Sequence, residues 1–215
     1  MRDLLCLPAI LALALALVCG CNATGYMLYL FAPGGKTVDV PAEYEGLSGT
    51  KVAVVVYTDI GVQYEYPYAR LGLSTAIASE LKTHVKDIQT VPPSRVVTYQ
   101  DQNVNWDTLD RTELGEELGA DYVLYVILDE YTLRERGSVN LFRGRVRAQA
   151  ALYEVTKPEA DARVWSGDEF SVIYPEHAPT GHLGQDDSRI RYETEKRFAV
   201  QLARKFYKHE VPKPS

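Results

Sequence analysis

The chain has 215 residues, 46% hydrophobic and 24% charged, which excludes a fibrous, low-complexity or wholly disordered protein. Lys plus Arg number 23 against 29 Asp plus Glu, a net charge of -6. That balance excludes general affinity for nucleic acid phosphates, which draws on an excess of Lys and Arg, so no nucleic acid partner is expected.

The amino terminus reads as an address rather than as fold. Arg2 supplies a positive charge, and residues 4–18 are almost entirely Leu, Ala, Ile and Val, with Cys6 and Pro8 as exceptions. The run matches a secretory apolar core and is short of the roughly 20 residues a transmembrane helix needs. Leu17-Val18-Cys19-Gly20-Cys21 closes it. Small Gly20 before Cys21 resembles the lipobox of bacterial lipoproteins, where cleavage precedes a cysteine that carries lipid; bulky Val18 makes Cys19 the poorer site. The pattern predicts a signal peptide at 1–20 and lipid attachment at Cys21, against the plainer alternatives of an uncleaved anchor or a simple secretory signal. Several acyl chains on one residue would hold the protein on a membrane, since one chain binds only marginally. Asn22, with no Asp at that position, resembles the enterobacterial pattern for the outer membrane, so the expected place is the cell envelope, on the outer membrane facing the periplasm.

All three cysteines, Cys6, Cys19 and Cys21, fall in this segment. The folded part is therefore expected to lack a disulfide, a thiol nucleophile and a thiolate metal site. Cleavage leaves about 195 residues, enough for one substantial core.

Residues 21–50 read as the lipidated cysteine and a tether, with Gly25, Pro33, Gly34, Gly35, Pro41, Gly46 and Gly49 and no sustained periodicity. Within it Tyr26 to Phe31 is strongly apolar, suited to the bilayer interface or to packing on the domain. Residues 51–57 form a β-branched run without alternation, the mark of a strand buried on both faces. After Gly61, Pro67 suits the first turn of a helix that carries Leu73, Ile77, Leu81 and Val85 at i+4 spacing. A short strand is expected at 88–91, a helical turn or a strand at 94–100, read here as helical, and a helix capped by Asp107 and ended by Gly119. Long strands follow at 121–136, with 123–128 buried at the sheet centre, and at 140–155. In the second, Arg143, Arg145, Arg147 and Gln149 alternate with Phe142, Val146, Ala148 and Ala150. A third strand is expected at 163–174. A last helix, capped by Asp187 or Ser188, carries Ile190, Thr194, Phe198, Leu202 and Phe206. The order is β-α-β-α-β-β-β-α: a single α/β domain over 51–209, one small mixed β-sheet covered by helices, and a tail at 210–215.

Three stretches carry a family resemblance. They are 51–59 with the helix 69–85, 114–124 with its Gly119-Ala120-Asp121 step into a strand, and the turn between long strands at 152–165. Placed behind a lipobox, this order resembles a superfamily of bacterial envelope lipoproteins and periplasmic domains: the curli-secretion lipoprotein, the outer-membrane activator of a peptidoglycan synthase, and the amino-terminal domain of TolB. The resemblance covers about residues 51–207 and implies a small mixed sheet used for docking to an envelope protein partner. The chain lacks an obvious pair of bilayer-length, lipid-facing hairpins, which separates it from the curli-type pore.

The motifs that carry chemistry are sparse. His177, His182, Asp186 and Asp187 share one loop and have the ligand types of a borderline divalent metal site, as a metal-dependent hydrolase would need. The plainer alternative is a polar loop that caps the final helix. Pro33-Gly34-Gly35-Lys36-Thr37 lacks the earlier glycine of a phosphate-binding loop, and no Gly-x-Ser-x-Gly elbow occurs, so neither a cofactor nor a catalytic set is expected. Glu113, Glu116, Glu117 and Asp121 read as the solvated face of a helix. Arg134, Arg136, Arg143, Arg145 and Arg147 offer a docking face for an acidic partner or lipid headgroup, against ordinary solvated strand faces paired with Glu135 or Asp129. Tyr57, Tyr64, Tyr66 and Tyr68 suit glycan stacking or simple half-buried packing. The expectation is a non-catalytic binding or assembly module; a homo-oligomeric transport or secretion subunit, joined through sheet edges, is a further alternative.

Overall fold

Val52 to Val56 carry no polar residue, so a strand there needs cover on both faces. In the computed structural model, which describes residues 37–179 and 187–212, it has that cover. β1 (Thr37–Val40) precedes it, and β2 (Lys51–Tyr57) is buried from Val52 to Val56. α1 (Ile60–Glu65) starts on Asp59, whose carboxylate accepts from the Val62 N–H at 2.9 Å, as a helix cap should. α2 (Ala69–His84) begins two residues after Pro67 and buries Leu73, Ile77 and Leu81. β3 (Gln89–Thr90) is only two residues, shorter than expected, because Pro92 and Pro93 turn the chain into α3 (Pro93–Gln102).

α4 (Arg111–Leu118) starts on Asp110 rather than on Asp107. Asp107 instead lies in a 3-10 turn at Trp106–Thr108, anchored by the buried Trp106, and its carbonyl is one of two that accept from Arg111. Gly119 ends α4 at φ 65°, a left-handed position that costs glycine nothing. β4 (Tyr122–Arg134) and β5 (Phe142–Glu154) then pair as an antiparallel hairpin. α5 (Glu159–Ala162) leads into β6 (Arg163–Tyr174), and α6 (Ser188–Ala203) follows. β7 (His209–Pro212) pairs with β1 as a separate two-stranded sheet, in which Thr37 Oγ1 donates to Glu210 Oε2 at 2.9 Å.

The main sheet has five strands in the order β3-β2-β4-β5-β6, parallel across β3, β2 and β4 and antiparallel from β4 to β6. Strand alternation splits its core in two. One face carries Val52, Val54, Val56, Leu124, Val126, Leu128, Val146 and Ala148 under α2 and α6, with Phe198 and Leu202 wholly buried. The other carries Ala53, Val55, Val123 and Tyr125 under α3, α4 and Trp106. That second layer stops early. Ile127, expected to be buried with its neighbours, is 39% exposed because it points to the face beyond the end of α3 and α4.

Two departures from regularity position side chains. Between Leu128 and Glu130 the β4 register advances two residues against one on β5, so Asp129 is an inserted bulge residue. Before it the even-numbered residues face α2 and α6; after it Tyr131 and Leu133 do. At Gly144, opposite Tyr174, a Cβ would stand 1.9 Å from Thr194 Oγ1. α6 therefore comes close against β5 at Gly144. The lead-in predicted to run to Thr50 is packed from Pro41 onward: Leu47 is fully buried, and Glu43 accepts from Trp165 Nε1 at 3.0 Å.

Candidate functional site

α2 turns Leu73, Ile77 and Leu81 inward, which leaves Gly72, Thr75, Ala76 and Ser79 on its flank toward α6. Four small residues in a row cannot fill the space between two helices. A groove of about 610 Å³ results, the size of a small-molecule or peptide-side-chain site. The α6 wall is built from longer groups, Arg191, Tyr192, Glu195 and Lys196, and Tyr68 stands exposed at the end of α2.

Glu195 forms part of this lining, 8% exposed, with Oε1 accepting from Tyr131 Oη at 2.7 Å. It fits only because position 72 is glycine: a Cβ there would lie 2.5 Å from Glu195 Oε1. Burial raises the Glu195 carboxyl above the ordinary glutamate range, offset in part by the Tyr131 hydrogen bond and the Arg191 charge. Burial and the neighbouring carboxylate also hold the Tyr131 phenol well above its usual value. Tyr66 closes the back of this cluster, its ring edge-on to Tyr131 at 5.1 Å and its hydroxyl 3.2 Å from Thr132 Oγ1. A single buried acid among apolar and small side chains can accept a hydrogen bond from a bound group. Sequence inspection did not single out Glu195. Its signal is its spacing three residues before Phe198 and seven before Leu202, a carboxylate on the buried stripe.

The residues singled out from sequence are scattered. Cys21, His182 and Asp186 lie outside the described residues, and with them the His177/His182/Asp186 set. His177 is exposed, and Glu176 beside it pairs with Arg197 at 3.2 Å. Among the described residues no group of three or more His, Cys, Asp or Glu could hold a metal ion. Glu113, Glu116 and Glu117 are solvent-exposed on α4, and Asp121 accepts from the Lys51 N–H at 2.8 Å. Tyr57 and Tyr66 are packed, whereas Tyr64 and Tyr68 face solvent.

The arginines are less free than a solvated strand face implies. Glu135 bridges Arg143 and Arg145, whose side chain is only 12% exposed, and Arg143 also donates to the carbonyls of Pro175 and Glu176 at 3.1 and 2.5 Å. Pairing with Glu135 was anticipated; the enclosure of Arg145 was not. The hydrogen bond from Arg145 holds the Glu135 carboxyl below its usual range.

Known protein families give no match to this chain, and neither do curated proteins. Solved structures do. The PelC dodecamer from Paraburkholderia phytofirmans is similar over 79% of this chain and 98% of its own, at 14% identity and a TM-score of 0.45. Lipoprotein GNA1162 from Neisseria meningitidis is similar over 71% and 97%, at 18% identity and a TM-score of 0.42. Protein CT253 from Chlamydia trachomatis covers 73% and 97%, at 12% identity and a TM-score of 0.37. The structural neighbours of this α/β chain thus include bacterial lipoproteins. Among the described residues no helix is long and apolar enough to cross a membrane.

Proposed function

We propose that this protein is a membrane-anchored bacterial lipoprotein whose α/β domain serves as a non-catalytic binding or assembly module in the cell envelope, on the outer membrane facing the periplasm. The observation that carries this reading is the run of charge, apolar core and Gly20-Cys21 at the amino terminus, joined to a domain with a groove of about 610 Å³ between α2 and α6. The groove has the small-residue wall and single buried acceptor of a binding surface. Cys21→Ser is expected to block lipidation and move the protein from the membrane to the soluble fraction in detergent-free buffer; retention in the membrane would refute the anchor. Elemental analysis of the purified chain, with and without His177→Ala/His182→Ala, tests the non-catalytic reading, which a stoichiometric metal lost in the double variant would overturn.

A second reading, self-association, is favoured by the open edge of β6, the last strand of the sheet. A mass measurement of the detergent-solubilised protein that returns a monomer removes it.

A further inference from the structure

α1 carries Ile60, Val62 and Tyr64 but buries none of its residues. Val62 and the following Tyr66 pack, partly buried, against the core, which turns the opposite side of the helix outward. That side holds Ile60 and Tyr64 one turn apart, 87% and 91% exposed. Tyr68 continues the spacing of four and is 66% exposed. Val104, beyond the end of α3, borders the same cavity as Ile60 at the carboxyl end of β2 and is 89% exposed. Single exposed apolar residues are ordinary; a cluster of side chains that stand this clear of their own domain is not.

The residues between them are uncharged: Gly61 and Gln63 on α1, and Gln102, Asn103 and Asn105 around Val104. Neither 58–68 nor 98–106 contains a Lys or Arg. Arg70, the next cation along the chain, is 7% exposed and held by Asp101. The charges that border the cluster are acidic, with Asp59, Glu65 and Asp101 exposed.

We propose that Ile60, Tyr64 and Val104, flanked by Tyr68, form a face that dips into the surface of a zwitterionic lipid bilayer. A protein partner of fixed shape gains from a continuous apolar patch, whereas lipid flows around separate projecting side chains. The tyrosines suit the headgroup layer, their rings apolar and their hydroxyls wet. The neutral polar neighbours enter that layer without stripping water from a charge. The acidic border gives no attraction to anionic lipid, so burial of apolar area is the driving force. The length of the chain ahead of the domain points to this occupant. From Cys21 to Pro41, where the packed unit begins, it spans at most about 70 Å. A domain lipidated at Cys21 therefore stays within reach of a bilayer, and the face need supply only a weak second contact. The proposal rests on the anchor reading above and deepens it, by assigning the side of the domain that meets lipid.

The test is quenching of tryptophan fluorescence by brominated phosphatidylcholine, in vesicles that carry the full lipidated chain. Trp106 and Trp165 are buried and give a constant background. Tyr64→Trp adds a reporter on the face, and Glu116→Trp adds one on the exposed side of α4. The Tyr64→Trp signal is expected to be quenched, and Glu116→Trp to show no quenching beyond the parent chain. Adding Ile60→Ser and Val104→Ser, both at exposed positions where folding is safe, should remove the quenching. Adding phosphatidylglycerol should not strengthen it. Equal quenching at the two sites, quenching that survives Ile60→Ser/Val104→Ser, or stronger quenching with phosphatidylglycerol would overturn the proposal. Flotation of the chain with the vesicles reports the anchor separately. A chain that floats without quenching at position 64 keeps the anchor and loses the face; a chain that stays out of the vesicles loses both.

Discussion

Tyr131 Oη donates to Glu195 Oε1 at 2.7 Å, joining β4 to α6 through a buried phenol and a buried carboxyl. The pair exists because of the Asp129 bulge. Without that extra residue, alternation along β4 would turn Tyr131 to the opposite face, away from α6.

Burial raises the Glu195 carboxyl in the folded state above its unfolded value. A carboxyl raised on folding favours the native state while protonated, so that contribution is complete below the unfolded pKa and is lost as pH rises through the folded one. Glu195→Gln keeps the shape and the acceptor, and is expected to flatten the decline in melting temperature on the alkaline side of the ordinary glutamate value. Tyr131→Phe removes a donor to a buried carboxyl and should cost about 1.5–3 kcal/mol at neutral pH. Thermal melts across pH check both; a Glu195→Gln curve parallel to the parent would show that the carboxyl does not titrate in this environment.

The contact at Gly144 makes a sharper packing prediction. A methyl group there runs into Thr194, so Gly144→Ala should destabilise by about 1–3 kcal/mol, the range for overpacking. Among the described residues Thr194 Oγ1 bonds within its own helix, to the Ile190 carbonyl at 2.6 Å, so Thr194→Ala breaks no bond to the sheet. The double variant Gly144→Ala/Thr194→Ala should recover part of the loss, and denaturant unfolding of the four proteins measures the coupling. Strict additivity would mean that α6 does not press on β5 here.

Arg145 is the residue on which strand alternation alone misleads. It lies on the outer face, yet it is enclosed and bonded to Glu135. Arg145→Ala is expected to cost more than the about 0.5 kcal/mol typical of surface changes, and less than Leu202→Asp, which places an unpaired carboxylate in the core. Because Arg145 lowers the Glu135 carboxyl, its contribution is present above the unfolded pKa and disappears as pH falls through the folded one. Melts of wild type and Arg145→Ala should therefore converge in acid. A constant gap would assign the effect to lost packing of the arginine stem.

Much of this fold can be read from residue pattern. Apolar runs and i+4 stripes place β2, α2, β6 and α6, because burial on one or both faces leaves a direct mark on residue type. The bulge is legible too, as the step from Leu128 to Tyr131 that shifts the buried positions of β4 from even to odd. The buried polar side chains are legible only as exceptions to the stripes: Glu195 among Phe198 and Leu202, Arg70 three residues before Leu73, and Gln100 four residues after Val96. Each is a polar residue on a buried face, and local spacing does not say which distant atom accounts for it. Glu195 meets Tyr131 across 64 residues, and Gln100 meets Val56 across 44. The α2/α6 groove left even less trace, since small residues on a helix flank are equally consistent with close packing.

The sheet is clamped from both sides along β2 and the start of β4, and from one side along β5 and β6, where Gln149, Arg147, Ser171 and Ile173 remain open to water. Amide protons in the clamped half can meet solvent only when the whole domain unfolds, whereas β6, an edge with its own register shift beside Ala148 and Ala150, can peel away for much less free energy. The sheet therefore has a half packed on both faces and a half that opens more readily. Local opening at the β6 edge leaves the packing around β2 intact.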